Sequence, residues 1–516
     1  MIALLAALQA PAREFSRIQT LALDAGFEAH GASLADLDGD GAPEVLLALH
    51  ERGKDFSRSI EVWKSGAGGA LSRAERIPLT PDVVAFAHAD LRAGGGEELV
   101  LFNAGGAFLW LRGENARPER ILECDFLWQT ADPESAFEWS EGLRDLDGDG
   151  FTDLVVPEPG GFAVALQRRS GVQGAPWGVV SRARVPEDAS DEPIWESAAL
   201  RRGGMEHRES NGSFSIGLST REAVAGSDAA DLLRVSEHVP APFWLDWDAD
   251  GDLDLVLQTP HALHVWTLTP AGTLSSAPQL SLSLPVVEDT ARELDASYSA
   301  HVVDLDADGR ADCVIFAGDK RSEDVRTQGL FFTQAAVREA APLFGKDGRP
   351  SSLLVFAGFI SGPTFKDLDG DGFPELTLRA VRPDLIDQIR SASTESIDSD
   401  LYVYRNRGGV LSRQPDVVRS HAIPLEAFQL RAEFFGDVTG DGLSELFVRD
   451  DPEHVRVLML RAQGPKEKST WSLLEKPLWE LEVGEKARVQ IPPPRKGSKP
   501  SLFILEAGHV LWVRFG

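Results

Sequence analysis

Apolar residues in this chain come in short runs rich in Val, Leu, Phe and Trp, each closed off by Gly, Pro or Asp. Glu44-Val-Leu-Leu-Ala-Leu49, Asp153-Leu-Val-Val156, Asp254-Leu-Val-Leu257 and Asp312-Cys-Val-Ile-Phe316 are examples. Runs this short, with turn residues at both ends, predict strands rather than helices. A second run follows soon after, as in Ile60-Glu-Val-Trp63, Phe108-Leu-Trp-Leu111, His264-Val-Trp266 and Leu401-Tyr-Val-Tyr404, and a third, more polar one comes next. With the strand leading into each segment, the pattern predicts an all-β chain built from four-stranded units.

What separates the first two strands of a unit is a recurring acidic nonapeptide. It reads Asp36-Leu-Asp38-Gly-Asp40-Gly-Ala42-Pro-Glu44, Asp145-Leu-Asp147-Gly-Asp149-Gly-Phe151-Thr-Asp153 and Asp246-Trp-Asp248-Ala-Asp250-Gly-Asp252-Leu-Asp254. Further copies are Asp304-Leu-Asp306-Ala-Asp308-Gly-Arg310-Ala-Asp312, Asp367-Leu-Asp369-Gly-Asp371-Gly-Phe373-Pro-Glu375 and Asp437-Val-Thr439-Gly-Asp441-Gly-Leu443-Ser-Glu445. A worn copy starts at Asp90, where Arg92 and Gly94 replace the middle acids and Glu98 survives. Starts at 36, 90, 145, 246, 304, 367 and 437 define a unit of about 55 to 60 residues, with one interval of 101.

Four-stranded antiparallel units repeated in this way must bury their faces on one another, and radial closure into a β-propeller does so while protecting most edges. The last 30 residues hold Val489-Gln-Ile491, Leu502-Phe-Ile-Leu505 and Val510-Leu-Trp-Val513, three strands of a further unit without its acidic loop. The strand-like run Phe15 to Leu23 is placed to supply the missing fourth and latch the ring. Eight blades are preferred on this count. Seven is the alternative if the C-terminal segment only caps the seventh unit. The long interval is read as one blade plus an insertion at about residues 186–236, containing Arg201-Arg202-Gly-Gly-Met-Glu206-His207-Arg208-Glu209; a hidden extra blade is the competing reading. Residues 13–516 are thus expected to form a single propeller domain.

Composition narrows the function. The 516 residues carry 51 basic and 81 acidic side chains, a net charge of −30, which repels nucleic acid and anionic membrane surfaces. No apolar run is long enough for a transmembrane helix. Met1 to Gln9 is mostly Ala and Leu and is followed by Ala10-Pro11-Ala12, so residues 1–12 read as a short signal peptide and predict a secreted or periplasmic protein. The two cysteines, Cys124 and Cys313, allow no disulfide framework and read as buried strand residues.

The loop chemistry points to calcium. Oxygens at positions 1, 3 and 5 of a tight loop converge on one point, glycine at position 6 permits the turn, position 7 offers its carbonyl and position 9 closes the cage, as a hard cation seeking six to eight oxygens requires. Position 7 is free to vary, as it does among Ala42, Phe151, Asp252, Arg310, Phe373 and Leu443. Position 12, a glutamate in an EF-hand, is apolar here (Leu47, Val156, Ile315), and the flanks are strands, so an EF-hand is rejected. Magnesium prefers to keep its waters and zinc lacks nitrogen and sulfur ligands. About six Ca²⁺ are expected, with the loop carrying Thr439 the weakest site.

The D-x-D-G-D-G-x-x-[DE] loop opening a β-rich repeat resembles the FG-GAP and VCBS repeats, the calcium-binding units of the integrin α-subunit propeller. The resemblance covers nearly the whole chain and implies that the six loops rigidify the blades. It does not extend to the loop at Asp90 or to the C-terminal unit. No nucleophile, zinc or nucleotide signature occurs. The leading expectation is therefore a monomeric recognition or scaffold module for a protein or glycan partner, bound through its loop face and the insertion. The alternative is a carbohydrate-active enzyme, a polysaccharide lyase or hydrolase, with His30, Glu141, Tyr298, His301 and Glu433 on the strands before the loops as candidate groups, or His207 with its arginine neighbours.

Overall fold

The structure is a computed structural model that describes residues 15–167, 177–186, 199–217, 238–283, 296–333, 350–381, 396–424 and 432–516, apart from short interruptions within these stretches. The chain winds into an eight-bladed β-propeller of antiparallel blades. Blade 1 consists of Phe27–Ala35, Glu44–Glu51, Arg58–Ser65 and Leu71–Leu79, hydrogen-bonded in that order. Blades 3 to 6 repeat this order, beginning at Leu143, Pro242, Ala296 and Phe359. Each acidic nonapeptide lies between the first and second strands of its blade, as the sequence predicts.

Burial follows from position in the blade. Second strands are covered by neighbouring blades on both faces and so read as unbroken apolar runs. Val45, Leu46, Leu47, Ala48 and Leu49 are all buried. The outermost strand Leu71–Leu79 is covered far less and carries several exposed side chains. This explains why the run directly after each acidic loop was the clearest in the sequence and the last of the unit the faintest.

Two blades depart from the plain form. Blade 2 gains a fifth strand, Phe137–Glu138, paired in parallel with its first strand Ala85–Ala89. Blade 7 carries an extra hairpin, Leu460–Gln463 with Thr470–Leu473, between its third and fourth strands. Between blades 3 and 4 the strands Ala199–Arg201 and His238–Pro240 pair, as do Glu206–Ser210 and Ser213–Gly217. Among the described residues these form two two-stranded pairs.

Blade 8 closes the ring. Arg488–Gln490, Ser501–Glu506 and His509–Phe515 come from the C-terminus, and Ser16–Ala22 adds the fourth strand in antiparallel register from Ser16 opposite Phe515 to Ala22 opposite His509. Leu21, fully buried, packs in one cluster with Val510 and Trp512 of blade 8 and Val45 and Leu47 of blade 1. Truncating Leu21 to Ala is expected to cost about 2–5 kcal/mol. Urea unfolding should show the loss, and amide exchange should place the increased opening in 501–515.

Both cysteines are buried. Cys313 is a strand residue as expected, whereas Cys124 lies just past Arg117–Glu123. Burial pushes both thiols up to about 12, which keeps them protonated and unreactive at neutral pH. Among the described residues no helix is long and apolar enough to cross a membrane.

Candidate functional site

The six loops share one hydrogen-bond plan. The position-1 aspartate accepts the N–H of the position-6 glycine, at 3.0 Å for Asp36 and Gly41, 2.9 Å for Asp145 and Gly150, 3.0 Å for Asp246 and Gly251 and 2.9 Å for Asp304 and Gly309. The same bond is 3.0 Å for Asp367 and Gly372 and 2.8 Å for Asp437 and Gly442. It requires a left-handed turn, and the six glycines have φ between 83° and 100°. The position-5 aspartate accepts the N–H of position 7, as Asp40 does from Ala42 at 2.7 Å and Asp371 from Phe373 at 3.0 Å. Such local bonds draw the carboxylates of positions 1, 3 and 5 to one side of the turn.

Position 9 does something the spacing alone did not reveal. Its carboxylate accepts the N–H of position 2 in every loop: Leu37 to Glu44 at 2.7 Å, Leu146 to Asp153 at 2.7 Å, Trp247 to Asp254 at 2.8 Å and Leu305 to Asp312 at 2.9 Å. Leu368 bonds Glu375 at 2.8 Å and Val438 bonds Glu445 at 2.7 Å. These acids are at most 3% exposed. Asp153 and Asp254 also accept an N–H from the end of the third strand or just past it, from Gln167 at 2.7 Å and Leu268 at 3.2 Å. The position-9 acid is therefore a clamp between loop and sheet. The worn loop keeps it, with Leu91 N–H on Glu98 at 2.8 Å.

Carboxylate oxygens gather within 4.8 Å of one another in Asp36, Asp38 and Asp40; in Asp145, Asp147 and Asp153; in Asp246, Asp248 and Asp250; in Asp304, Asp306 and Asp308; and in Asp367, Asp369 and Asp371. Burial first, and then neighbouring aspartates, push Asp153 and Asp254 up to about 7 and Glu375 up to about 8; burial likewise lifts Glu445 to about 7. Asp147, Asp248, Asp306 and Asp371 are raised for the same reasons. Like charges held together under partial burial favour the protonated form of each other. The Oδ1 atoms of Asp145 and Asp369 are buried without a hydrogen-bond partner. This donor set, all oxygen and mostly anionic, fits a hard divalent cation. Thr439 places a hydroxyl 3.4 Å from Asp437 and 3.5 Å from Glu445, a neutral group where the other loops have an acid. Arg310 lies outside the described residues.

Several side chains that sequence reasoning passed over complete the loops. Lys64, opposite position 9 in blade 1, lies 2.6 Å from Asp38 and 3.6 Å from Glu44. Arg405, in the matching place in blade 6, holds Asp369 Oδ2 at 2.6 Å, donates to Ser469 at 2.8 Å and lies over Trp471 at 4.6 Å. The worn loop of blade 2 is braced differently. His88 sits 2.5 Å from Glu97 and 3.2 Å from Glu138, and Arg495 from blade 8 pairs with Glu97. A basic residue facing position 9 was the signal for Lys64 and Arg405; no spacing rule links His88 to Arg495.

Of the groups named for the enzymatic alternative, His30 meets His50 edge-on within blade 1, while His301 lies against Phe316 and Phe365. Burial pushes His301 down to about 4, so it is neutral at physiological pH. Lys366, the cation whose charge Glu433 supports, donates to the Phe434 carbonyl at 2.9 Å. The structure does not bring His30 and His301 together. Glu141 and the side chains of Tyr298 and His207 lie outside the described residues.

No protein of curated function matches the chain in sequence. Solved structures resemble it at low identity, three of them as follows. The V. cholerae biofilm matrix protein Bap1 is 11% identical, with 97% of this chain and 91% of that one covered and a TM-score of 0.35. Exotype rhamnogalacturonan lyase YesX is 12% identical, with 96% and 76% covered and a TM-score of 0.32. BBS1N, in complex with ARL6DN, is 12% identical, with 96% and 97% covered and a TM-score of 0.30. Family models match in two places: the FG-GAP repeat at residues 139–177 and the FG-GAP-like repeat at residues 246–315. The first segment contains the loop at Asp145 and the second those at Asp246 and Asp304, so that the loops, the blades they open and the matched models agree on an FG-GAP-type repeat protein.

Proposed function

We propose that this propeller is a secreted or periplasmic calcium-binding module that recognises a protein or glycan partner. The observation that carries the calcium reading is the set of clustered carboxylates with buried, unsatisfied oxygens, above all Oδ1 of Asp369, whose side chain is 5% exposed. About six Ca²⁺ would sit at Asp36, Asp38, Asp40 and Glu44; Asp145, Asp147, Asp149 and Asp153; Asp246, Asp248, Asp250 and Asp254; Asp304, Asp306, Asp308 and Asp312; Asp367, Asp369, Asp371 and Glu375; and Asp437, Thr439, Asp441 and Glu445. The ions neutralise charge that the fold otherwise holds at a cost.

Partner recognition falls to the insertion between blades 3 and 4, since its paired strands stand apart from the eight blade sheets. Metal analysis after dialysis in calcium should count about six ions per chain. A glycan array should show binding that deletion of residues 186–236 abolishes while calcium content stays unchanged. Equal binding by the deletion variant would remove the insertion from the account, and turnover of acidic polysaccharides would replace recognition with catalysis.

A further inference from the structure

Some neighbouring loops are joined by a direct backbone hydrogen bond. The position-2 peptide, whose N–H binds its own position-9 acid, offers its carbonyl to the next blade. Leu146 C=O accepts Leu253 N–H at 2.6 Å, and Leu368 C=O accepts Ser444 N–H at 2.8 Å; both donors occupy position 8 of the following loop. Between blades 1 and 2 the position-8 N–H of Glu97 reaches the Asp36 carbonyl at 2.6 Å. The contact there is so close that a Cβ on Gly39 would stand 2.0 Å from the Gly95 oxygen.

In two further pairs a side-chain amide makes the link. Position 8 of the sixth-blade loop is Pro374, which has no N–H. Asn406, fully buried, donates through Nδ2 to the Leu305 carbonyl of the preceding loop at 2.7 Å and through its backbone N–H to Glu375 at 3.4 Å. Gln167 does the same between blades 2 and 3. Its Nε2 reaches the Leu91 carbonyl at 2.6 Å and its N–H reaches Asp153 at 2.7 Å. Both residues thus touch the position-9 acid of one loop and the position-2 peptide of its neighbour.

We infer that adjacent loops bind their ions as coupled sites, with Asn406 as the positioning residue between the fifth and sixth blades and the position-8 peptides of Leu253 and Ser444 serving the pairs 3–4 and 6–7. The inference rests on the calcium reading above, which stands independently on the buried, unsatisfied Oδ1 of Asp369 at the centre of the 5–6–7 series. An ion fixes the backbone of its loop, and the clasp passes that order to the next loop, which then loses less freedom when its own ion arrives. Couplings of this kind amount to about five-fold or more in affinity.

The test is a calcium titration by calorimetry on the whole chain, comparing wild type with Ser444→Pro. Proline stands naturally at position 8 in Pro43 and Pro374, so the loop backbone accepts it, and the change removes the clasp N–H without touching a carboxylate. The expected result is a wild-type isotherm with a Hill coefficient above one, and a variant with a lower coefficient and affinity about five-fold weaker for the last ions bound. Asp371→Ala supplies a second measurement should the proline variant not fold: the sites that remain should weaken by a similar factor. Superimposable isotherms for wild type and Ser444→Pro, or unchanged residual affinities in Asp371→Ala, overturn the coupling. A wild-type chain that takes up no calcium overturns the calcium reading instead.

Discussion

Adding EGTA lowers the melting temperature by about 10 °C or more. A ligand bound only to the folded state at a hundredfold excess over its Kd contributes about 2.7 kcal/mol per site. With an unfolding entropy of about 2.1 cal/mol/K per residue, a chain of this length gains about 1 °C for each kcal/mol, so six sites together reach this range. The effect also depends on pH. Asp153, Asp254 and Glu445 are raised to about 7 and Glu375 to about 8 in the metal-free fold, whereas an unfolded chain titrates its carboxyls near 4. Between these values the folded state binds more protons than the unfolded one, and metal-free stability therefore falls as pH rises from about 4 to about 8. Calorimetric scans with and without EGTA at pH 5 and pH 8 should show the calcium increment larger at pH 8. Equal melting temperatures with and without chelator would remove the structural role of the ions.

The second large effect separates clamp from ligand. Asp254→Ala removes a 1% exposed acid and leaves the N–H groups of Trp247 and Leu268 unsatisfied inside the blade. At about 1–3 kcal/mol for each of the two buried groups left unpaired, the loss is about 2–6 kcal/mol, and part of it persists in EGTA because the clamp does not depend on an ion. Asp250→Ala, at an exposed position whose local partner is the Asp252 N–H at 3.0 Å, should be nearly silent in EGTA and costly in calcium. Denaturant titrations of both variants under both conditions give the four numbers needed. Identical behaviour of the two variants would mean that positions 5 and 9 play one role, contrary to the geometry.

The worn loop of blade 2 fits this division of labour. It has lost the oxygens of positions 3 and 5 and keeps the clamp, with Glu98 on the Leu91 N–H. The space between blades 8, 1 and 2 is bridged by Arg495, Glu97 and His88. Protein charges there perform the bracing assigned to ions elsewhere in the ring, which is why this seam is expected to be the part of the propeller least sensitive to chelation.

The strands and the loop positions were legible in the sequence, because each is fixed by local chemistry repeated many times: short apolar runs closed by turn residues, a glycine where the backbone turns left-handed, oxygens at fixed spacing. The choice of eight blades over seven rested on three C-terminal runs and one N-terminal run whose pairing, Ser16 with Phe515, only the folded ring establishes. The clamp at position 9 was hidden because an acid serving as ligand and an acid serving as acceptor look alike in a motif. Asn406 stayed invisible because its partner Leu305 lies far from it along the chain, in the neighbouring blade, and meets it only when blades stack. A repeating sequence specifies its unit; what one unit does to the next is decided where their surfaces touch.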